Sequence, residues 1–76
     1  MVVLKIKVVD DKNRPIVGAI VKVNSQVGTT NSSGEVTFDV PEGRYTVRID
    51  HWRYKPLRET VTAPGEYVFR TASIML

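Results

Sequence analysis

Cysteine is absent from this chain of 76 residues. A disulfide framework and thiolate zinc sites are therefore excluded. No apolar run approaches the roughly 20 residues that a helix needs to cross a bilayer. A chain this short buries only roughly 60 % of the surface that its unfolded form exposes, so its hydrophobic core must hold the fold alone.

The excess of charge is also small. Eleven basic residues face eight acidic ones, for a net charge of +3. This falls short of the clustered basic footprint of a dedicated nucleic-acid binder, so nucleic acid is not an expected partner. The apolar content of 42 % is that of an ordinary globular protein. We expect a single domain over residues 1–76.

The first residues lack the pattern of a signal peptide, because lysines interrupt the apolar residues that follow Met1. Two explanations stay open. The protein is cytoplasmic if Met1 is native, and extracytoplasmic if the chain is a domain cut from a longer secreted protein.

The clearest pattern lies between Thr29 and Val47. Residues 31–34 and 41–43 are rich in Asn, Ser, Pro and Gly, which predicts two turns. Between them Val36, Phe38 and Val40 alternate with polar residues, which predicts a half-buried strand.

The same alternation predicts seven short strands and no helix. They are expected at 2–9, 19–24, 26–30, 35–40, 44–50, 57–62 and 66–76, with 51–56 as a connection and Gly18 as a bulge or close backbone approach. Seven short strands in a chain of this size predict an all-β, seven-stranded antiparallel two-sheet β-sandwich.

The last strand has two candidate inward faces, and a bulge near residues 70–72 would reconcile them. One face holds Tyr67, Phe69 and Thr71, and the other holds Val68, Ala72, Ile74 and Leu76.

Three segments together carry a family resemblance. They are residues 8–23 with Pro15-Ile16-Val17-Gly18-Ala19, residues 29–38 with Asn31-Ser32-Ser33-Gly34, and residues 40–47 with Pro41-Glu42-Gly43-Arg44-Tyr45. Over roughly residues 5–62 the chain resembles a carboxypeptidase regulatory-like domain of the transthyretin-like (prealbumin-type, Ig-like) β-sandwich group. The resemblance implies a sandwich fold and a non-catalytic accessory role. One residue departs from the family pattern: Arg53 stands where glycine often precedes the aromatic at Tyr54.

Catalytic chemistry finds no support. Asp50 and His51, the single histidine, are neighbours in a strand, so their side chains leave on opposite faces. The serines at 25, 32, 33 and 73 have no base and acid in a recognisable arrangement. We predict that the protein is not an enzyme, with no catalytic residue and no cofactor.

Two polar turns invite a binding interpretation. Asp10, Asp11 and Asn13 offer oxygens that calcium could use, but a turn whose side chains bond their own backbone fits better, so no metal is expected. Asn31-Ser32-Ser33 matches the glycosylation acceptor pattern, and ordinary turn chemistry is again preferred.

The best candidate for a functional surface is His51, Trp52 and Arg53, since Trp and Arg are enriched at binding hot spots. The resemblance implies that Tyr54 is packed. For Trp52 we expect packing over the open end of the core, with contact to a protein or sugar as the alternative.

Outward charges at Lys5, Lys7, Arg44 and Arg48 could gather on one face. Three acids, Glu35, Glu59 and Glu66, could neutralise them. We interpret these charges first as a protection against edge pairing and second as a surface for an anionic partner.

The predicted function is a structural spacer or a protein or carbohydrate interaction domain, accessory to a larger protein. One alternative is a self-associating protein, a homodimer whose edge is the apolar end Ile74, Met75 and Leu76. The other alternative is a carbohydrate-binding module that uses Trp52.

Overall fold

The computed structural model describes residues 1–24 and 26–72. These residues form seven strands: β1 Val2–Val9, β2 Ile20–Val23, β3 Gln26–Thr29, β4 Glu35–Val40, β5 Gly43–His51, β6 Tyr54–Ala63 and β7 Gly65–Arg70. One sheet has the order β4-β1-β7 and the other the order β3-β2-β5-β6. The predicted all-β, seven-stranded, two-sheet sandwich is therefore confirmed. Within the described residues, no helix is long and apolar enough to cross a membrane.

The three-stranded sheet corrects one detail of the prediction. β1 pairs with β4 antiparallel, but it pairs with β7 parallel, with Leu4 opposite Gly65 and Val9 opposite Arg70. The physical reason is the crossover that precedes β7. Because β6 belongs to the other sheet, the chain changes sheets between β6 and β7, and β7 enters beside β1 in the same direction.

The core lies between the two inner faces. Alternation along each strand sends one side chain inward and the next outward, so short polar-apolar repeats suffice to build it. Each large core side chain stabilises the fold by about 1.5–3 kcal/mol relative to an exposed one. The largest fully buried side chains are Leu4, Ile6, Val8, Val21, Val23, Val40 and Val47.

The bounds of β1 and β4 are those the sequence predicts. β6 is longer than predicted, because it begins at Tyr54 and includes Pro56. The sequence predicts a connection over residues 51–56, which end in Pro56. An edge strand such as β6 accommodates proline because its outer N–H groups need no partner. The pairing of β5 with β6 is regular except for a shift in register between Ile49 and His51.

The last strand has the first of its two candidate faces inward. Tyr67 and Phe69 are half-buried, Thr71 is buried, and Val68 is 66 % exposed. The strand ends at Arg70, so the bulge expected at 70–72 is not needed. The other face also relied on residues 74 and 76, which lie outside the described residues.

The turns follow local chemistry. Gly18 has a φ of +80° with open space around it, so it supplies a left-handed turn and neither a bulge nor a close approach. Gly34 combines a φ of +73° with close packing, because a Cβ there would lie 2.7 Å from the carbonyl oxygen of Val8. The Tyr45 hydroxyl donates to the carbonyl oxygen of Pro41, which gives the polar end of this half-buried side chain a partner.

Two buried threonines join separate parts of the fold. The Thr30 hydroxyl accepts from the amide of Ala19 at 2.9 Å and donates to the carbonyl of Ile16 at 2.6 Å. The Thr71 amide donates to Val9 of the three-stranded sheet at 3.0 Å. Its hydroxyl donates to the carbonyl of Lys55 in the four-stranded sheet at 2.8 Å, so Thr71 ties the two sheets together.

Candidate interaction surface

The candidate surface is the tip of the hairpin between β5 and β6. His51 pairs with Tyr54 at the last rung, and Trp52 and Arg53 form the turn. Trp52 is 73 % exposed. The Cζ atom of Arg53 lies 5.3 Å from the centroid of the Trp52 ring, which is a cation–π distance. The tip therefore presents an aromatic ring and a guanidinium together.

His51 fixes the position of this tip. Its Nδ1 accepts from the amide of Arg53 at 3.1 Å, so Nδ1 carries no proton and Nε2 carries the N–H. Nε2 then donates to the carbonyl oxygen of Val17 at 3.2 Å. The imidazole thus links the tip to the turn that precedes β2.

Aromatic contacts complete the support of the tip. The rings of Tyr54 and His51 meet edge to face, with centroids 5.0 Å apart and planes at 72°. The Trp52 ring lies nearly parallel to His51 at a centroid distance of 6.1 Å. Tyr54 is half-buried and packs against the core, as the resemblance implied. It is Tyr54, and not Trp52, that packs against the core at this end of the sandwich.

A shallow hollow of about 360 Å³ adjoins the tip. Its rim is mixed, since Asp50 contributes a carboxylate and Ile20 is an apolar residue that is 43 % exposed. The nearby Val17 is 55 % exposed. The lining residues are Gly18, Ile20, Asp50, His51 and Trp52.

The structure thus corrects the prediction for Trp52, and it brings the three predicted site residues close to one another. Trp52 does not pack over the core, because Tyr54 already occupies that position. His51, Trp52 and Arg53 do come together at one tip, which leaves their role in binding as a proposal. Sequence reasoning missed the contribution of Ile20 from β2, whose outward position in the alternation was the available signal.

The other polar candidates are explained by their turns. Asn31 Oδ1 accepts from the amides of Ser33 and Glu35 at 2.9 and 3.1 Å, which is turn chemistry as predicted. Ser32 also belongs to that turn. Ser25 and Ser73 lie outside the described residues.

Asp10 is the one acidic residue that is buried among the described ones. Its Oδ1 accepts from the amides of Lys12 and Arg14, both at 2.8 Å, and its Oδ2 accepts from the Arg14 side chain at 3.2 Å. The hydrogen bond from the Arg14 amide is the main reason that the pKa of Asp10 lies below its ordinary 3.8, although burial acts in the opposite direction. The carboxylate therefore closes its own turn. No group of three metal-ligating side chains occurs in residues 1–24 and 26–72.

The predicted self-association edge, Ile74, Met75 and Leu76, lies outside the described residues and stays a prediction.

Comparison with known proteins gives a relative and several structural neighbours. The chain is 39 % identical over 70 residues to S-layer protein B of Metallosphaera sedula, an alignment that covers 88 % of this chain and 17 % of that protein. The chain therefore spans less than a fifth of the length of this relative.

Solved structures share the fold at low identity. The TIE protein of Bacillus anthracis has a TM-score of 0.72 at 21 % identity, over 96 % of this chain and 16 % of that one. A chain of a type II cohesin–X-dockerin complex from Acetivibrio cellulolyticus has a TM-score of 0.70 at 21 % identity, over 92 % and 52 %. The C-terminal domain of the Caf1A usher has a TM-score of 0.55 at 16 % identity, over 93 % and 94 %.

A family model also matches, described as the carboxypeptidase regulatory-like domain, and it covers residues 3–74. This match extends beyond residues 5–62, where the sequence motifs lie. Because it covers nearly the whole chain, the protein belongs to the carboxypeptidase regulatory-like domain family.

Proposed function

We propose that this domain is a non-catalytic β-sandwich module of a longer protein, serving as a spacer that contacts a protein partner through the β5–β6 tip. The observation that carries the proposal is Trp52, which is 73 % exposed while the guanidinium of Arg53 lies against its ring. A large aromatic side chain and an arginine that are held together and left in solvent are typical of interface anchors. His51 holds the tip in place, so little order has to be gained on binding.

The relation to S-layer protein B supports the modular part of the proposal. In that protein the matched unit is one part of a much longer chain, since the match covers 17 % of it. The name of the relative also favours a place at a cell surface for this module.

The non-catalytic part rests on the histidine. Both ring nitrogens of His51 are engaged by backbone groups, Nδ1 by the amide of Arg53 and Nε2 by the carbonyl of Val17. A general base needs a free nitrogen within reach of the proton that it abstracts. His51 therefore acts as a structural link.

The test uses Trp52 as a reporter, because it is the single tryptophan of the chain. In the isolated domain, acrylamide should quench its fluorescence readily. In the longer polypeptide of the same reading frame, with other tryptophans changed to phenylalanine, quenching should fall if the tip contacts a neighbouring domain. Unchanged quenching there would remove the tip as the contact, and a reading frame of only these 76 residues would contradict the modular role.

A second candidate function is binding of a neutral sugar. The hollow beside Trp52 favours it, because Asp50 offers a hydrogen-bond acceptor next to the indole ring. A panel of neutral glycans, screened with the wild type and with Trp52→Ala, tests this role. Binding that the substitution abolishes would support it, and equal signals from both proteins would exclude it.

A further inference from the structure

A row of three positive charges crosses the outer face of the four-stranded sheet. In the strand register, Lys22 of β2 lies opposite Arg48 of β5, and Arg48 lies opposite Arg58 of β6. All three residues are exposed. Neighbouring strands lie about 4.8 Å apart, so the three side chains leave the same face in a line across three strands.

This arrangement costs stability unless something compensates for it, because like charges directly opposite one another in a sheet repel. Arg48 has a carboxylate partner, with its Nε 3.3 Å from Oδ2 of Asp50. Within the described part of the chain, neither Lys22 nor Arg58 forms an ion pair. The row therefore keeps an excess of positive charge, since one carboxylate accompanies three cations.

Glu59, one of the three acids that the sequence offers as neutralising partners, does not lie on this outer face. Glu59 pairs with Val47, whose side chain is buried in the core, so Glu59 leaves from the face opposite to Arg48. Arg44 adds a further cation to the outer face and lies opposite Thr62. The expectation that Lys5 and Lys7 join these arginines on one face is wrong, since the two lysines belong to β1 in the other sheet.

The outer face of the three-stranded sheet shows that such a row is not a general property of the fold. There Lys5 lies opposite Glu66, and its Nζ is 3.5 Å from Oε2 of Glu35. Lys7 lies opposite Glu35 and Val68. Positive charges on that face thus have acids beside them.

We propose that the cationic row of Lys22, Arg48 and Arg58 binds an acidic polysaccharide, whose carboxylates or sulfates follow the row across the strands. A linear polyanion matches a linear set of cations. The neighbouring rung carries Thr46 opposite Thr60, both exposed, and their hydroxyls can bond sugar oxygens.

Other anionic partners match this face less well. Apart from Trp52, which adjoins Ile20 and Asp50 at one end of this face, the outward residues of β2, β5 and β6 include no aromatic side chain on which a nucleic-acid base could stack. Cations and threonines form the middle of the face, and its exposed apolar residues, Ile20 and Val27, lie toward the β3 edge, whereas a protein interface has an apolar centre. A flexible chain of charged sugars needs neither feature.

The experiment measures binding of the protein to polygalacturonate, to dextran sulfate and to neutral dextran at low ionic strength. The wild type should bind one or both of the charged polymers and not neutral dextran, and the affinity should fall as salt is added. Binding to polygalacturonate assigns carboxylates as the recognised groups, and binding to dextran sulfate assigns sulfates.

The decisive variant is the triple substitution Lys22→Gln, Arg48→Gln and Arg58→Gln. Its matched control is Lys5→Gln, Lys7→Gln and Arg70→Gln, which removes the same charge from the other outer face. The first variant should bind about tenfold or more weakly, and the control should lose less than about threefold.

Trp52→Ala separates this site from the proposed partner tip, and it should bind the charged polymers as the wild type does. Equal losses in the two triple variants, or a loss in Trp52→Ala as large as that of the row variant, would overturn the proposal. No binding of the wild type to either charged polymer, or tighter binding to single-stranded DNA, would also overturn it. The row variant is expected to fold, because it removes repulsion between neighbouring strands.

Discussion

The two sheets bury similar inner faces and present different outer ones. On the three-stranded sheet, β1 lies between two strands that bring acids to its lysines, as in the Lys5–Glu35 pair. On the four-stranded sheet, the register places Lys22, Arg48 and Arg58 side by side. The difference teaches that strand order, and not composition, decides whether a charge on a sandwich is neutralised. Three substitution sets and one titration can break or sharpen this contrast.

The largest effect is expected at the turn that closes the three-stranded sheet. Gly34→Ala places a residue in a left-handed backbone, which costs about 1–2 kcal/mol. Its Cβ would also lie 2.7 Å from the carbonyl oxygen of Val8, which adds about 1–3 kcal/mol. Gly18→Ala is the matched control, since it shares the positive φ but has open space around it. Urea unfolding measures both, and equal losses would contradict the role assigned to close packing at Gly34.

The next effect concerns the entry to the four-stranded sheet. Thr30→Val keeps the shape of the side chain but removes the hydroxyl that serves the Ala19 amide and the Ile16 carbonyl. Leaving buried groups without a partner should lower the free energy of unfolding by about 1–3 kcal/mol. The exposed Thr46→Val should change it by less than about 0.5 kcal/mol. Comparable losses for the two variants would mean that the Thr30 hydroxyl is not essential.

Stability measured as a function of pH tests the hydrogen bonds that the Asp10 carboxylate accepts just after β1. The folded state lowers the pKa of Asp10, chiefly through the Arg14 amide, so its contribution to stability is present above the ordinary pKa of 3.8. That contribution is lost as the pH falls through the lower pKa of the folded state. The wild type should therefore exceed Asp10→Asn in stability at neutral pH, and the gap should narrow below pH 3.8. A gap that does not change with pH would contradict this assignment.

The smallest effect compares the two outer faces directly. One substitution on each face should change the free energy of unfolding, and the two changes should have opposite signs. Lys22→Gln relieves repulsion and should raise the free energy of unfolding by about 0.2–1 kcal/mol. Lys5→Gln removes an ion pair and should lower it by about 0.2–1 kcal/mol. Added salt should reduce both changes, since it screens exposed charges. If thermal unfolding shows the same sign for both, the faces do not differ as described.

Much of the fold follows from the sequence where alternation and turn chemistry agree. β1 and β4 have the predicted bounds, because apolar and polar residues alternate between strong turn signals. The sequence predicts that β6 begins at residue 57, but the strand begins at Tyr54. The pattern cannot show that β6 is an edge strand, which tolerates Pro56. The parallel pairing of β7 depends on a change of sheets, which no local pattern reports.

The sequence also predicts the candidate sites only in part. Trp52 was expected to pack, since the sequence cannot show that Tyr54 takes the position at the end of the core. The outward direction of Lys22 follows from alternation within its own strand. Its alignment with Arg48 and Arg58 depends on which strands are neighbours and in what register, and that is a property of the whole fold.

The parallel pairing of β1 and β7 has a mechanical consequence. A force that pulls Val2 and Arg70 apart acts at opposite ends of two strands that run in the same direction. Such a load strains the hydrogen bonds of the ladder together in shear, whereas a hairpin pulled from its open end separates one rung at a time. Because many rungs share the load in shear, we expect the β1–β7 ladder to resist tension along its strands better than a hairpin of equal length.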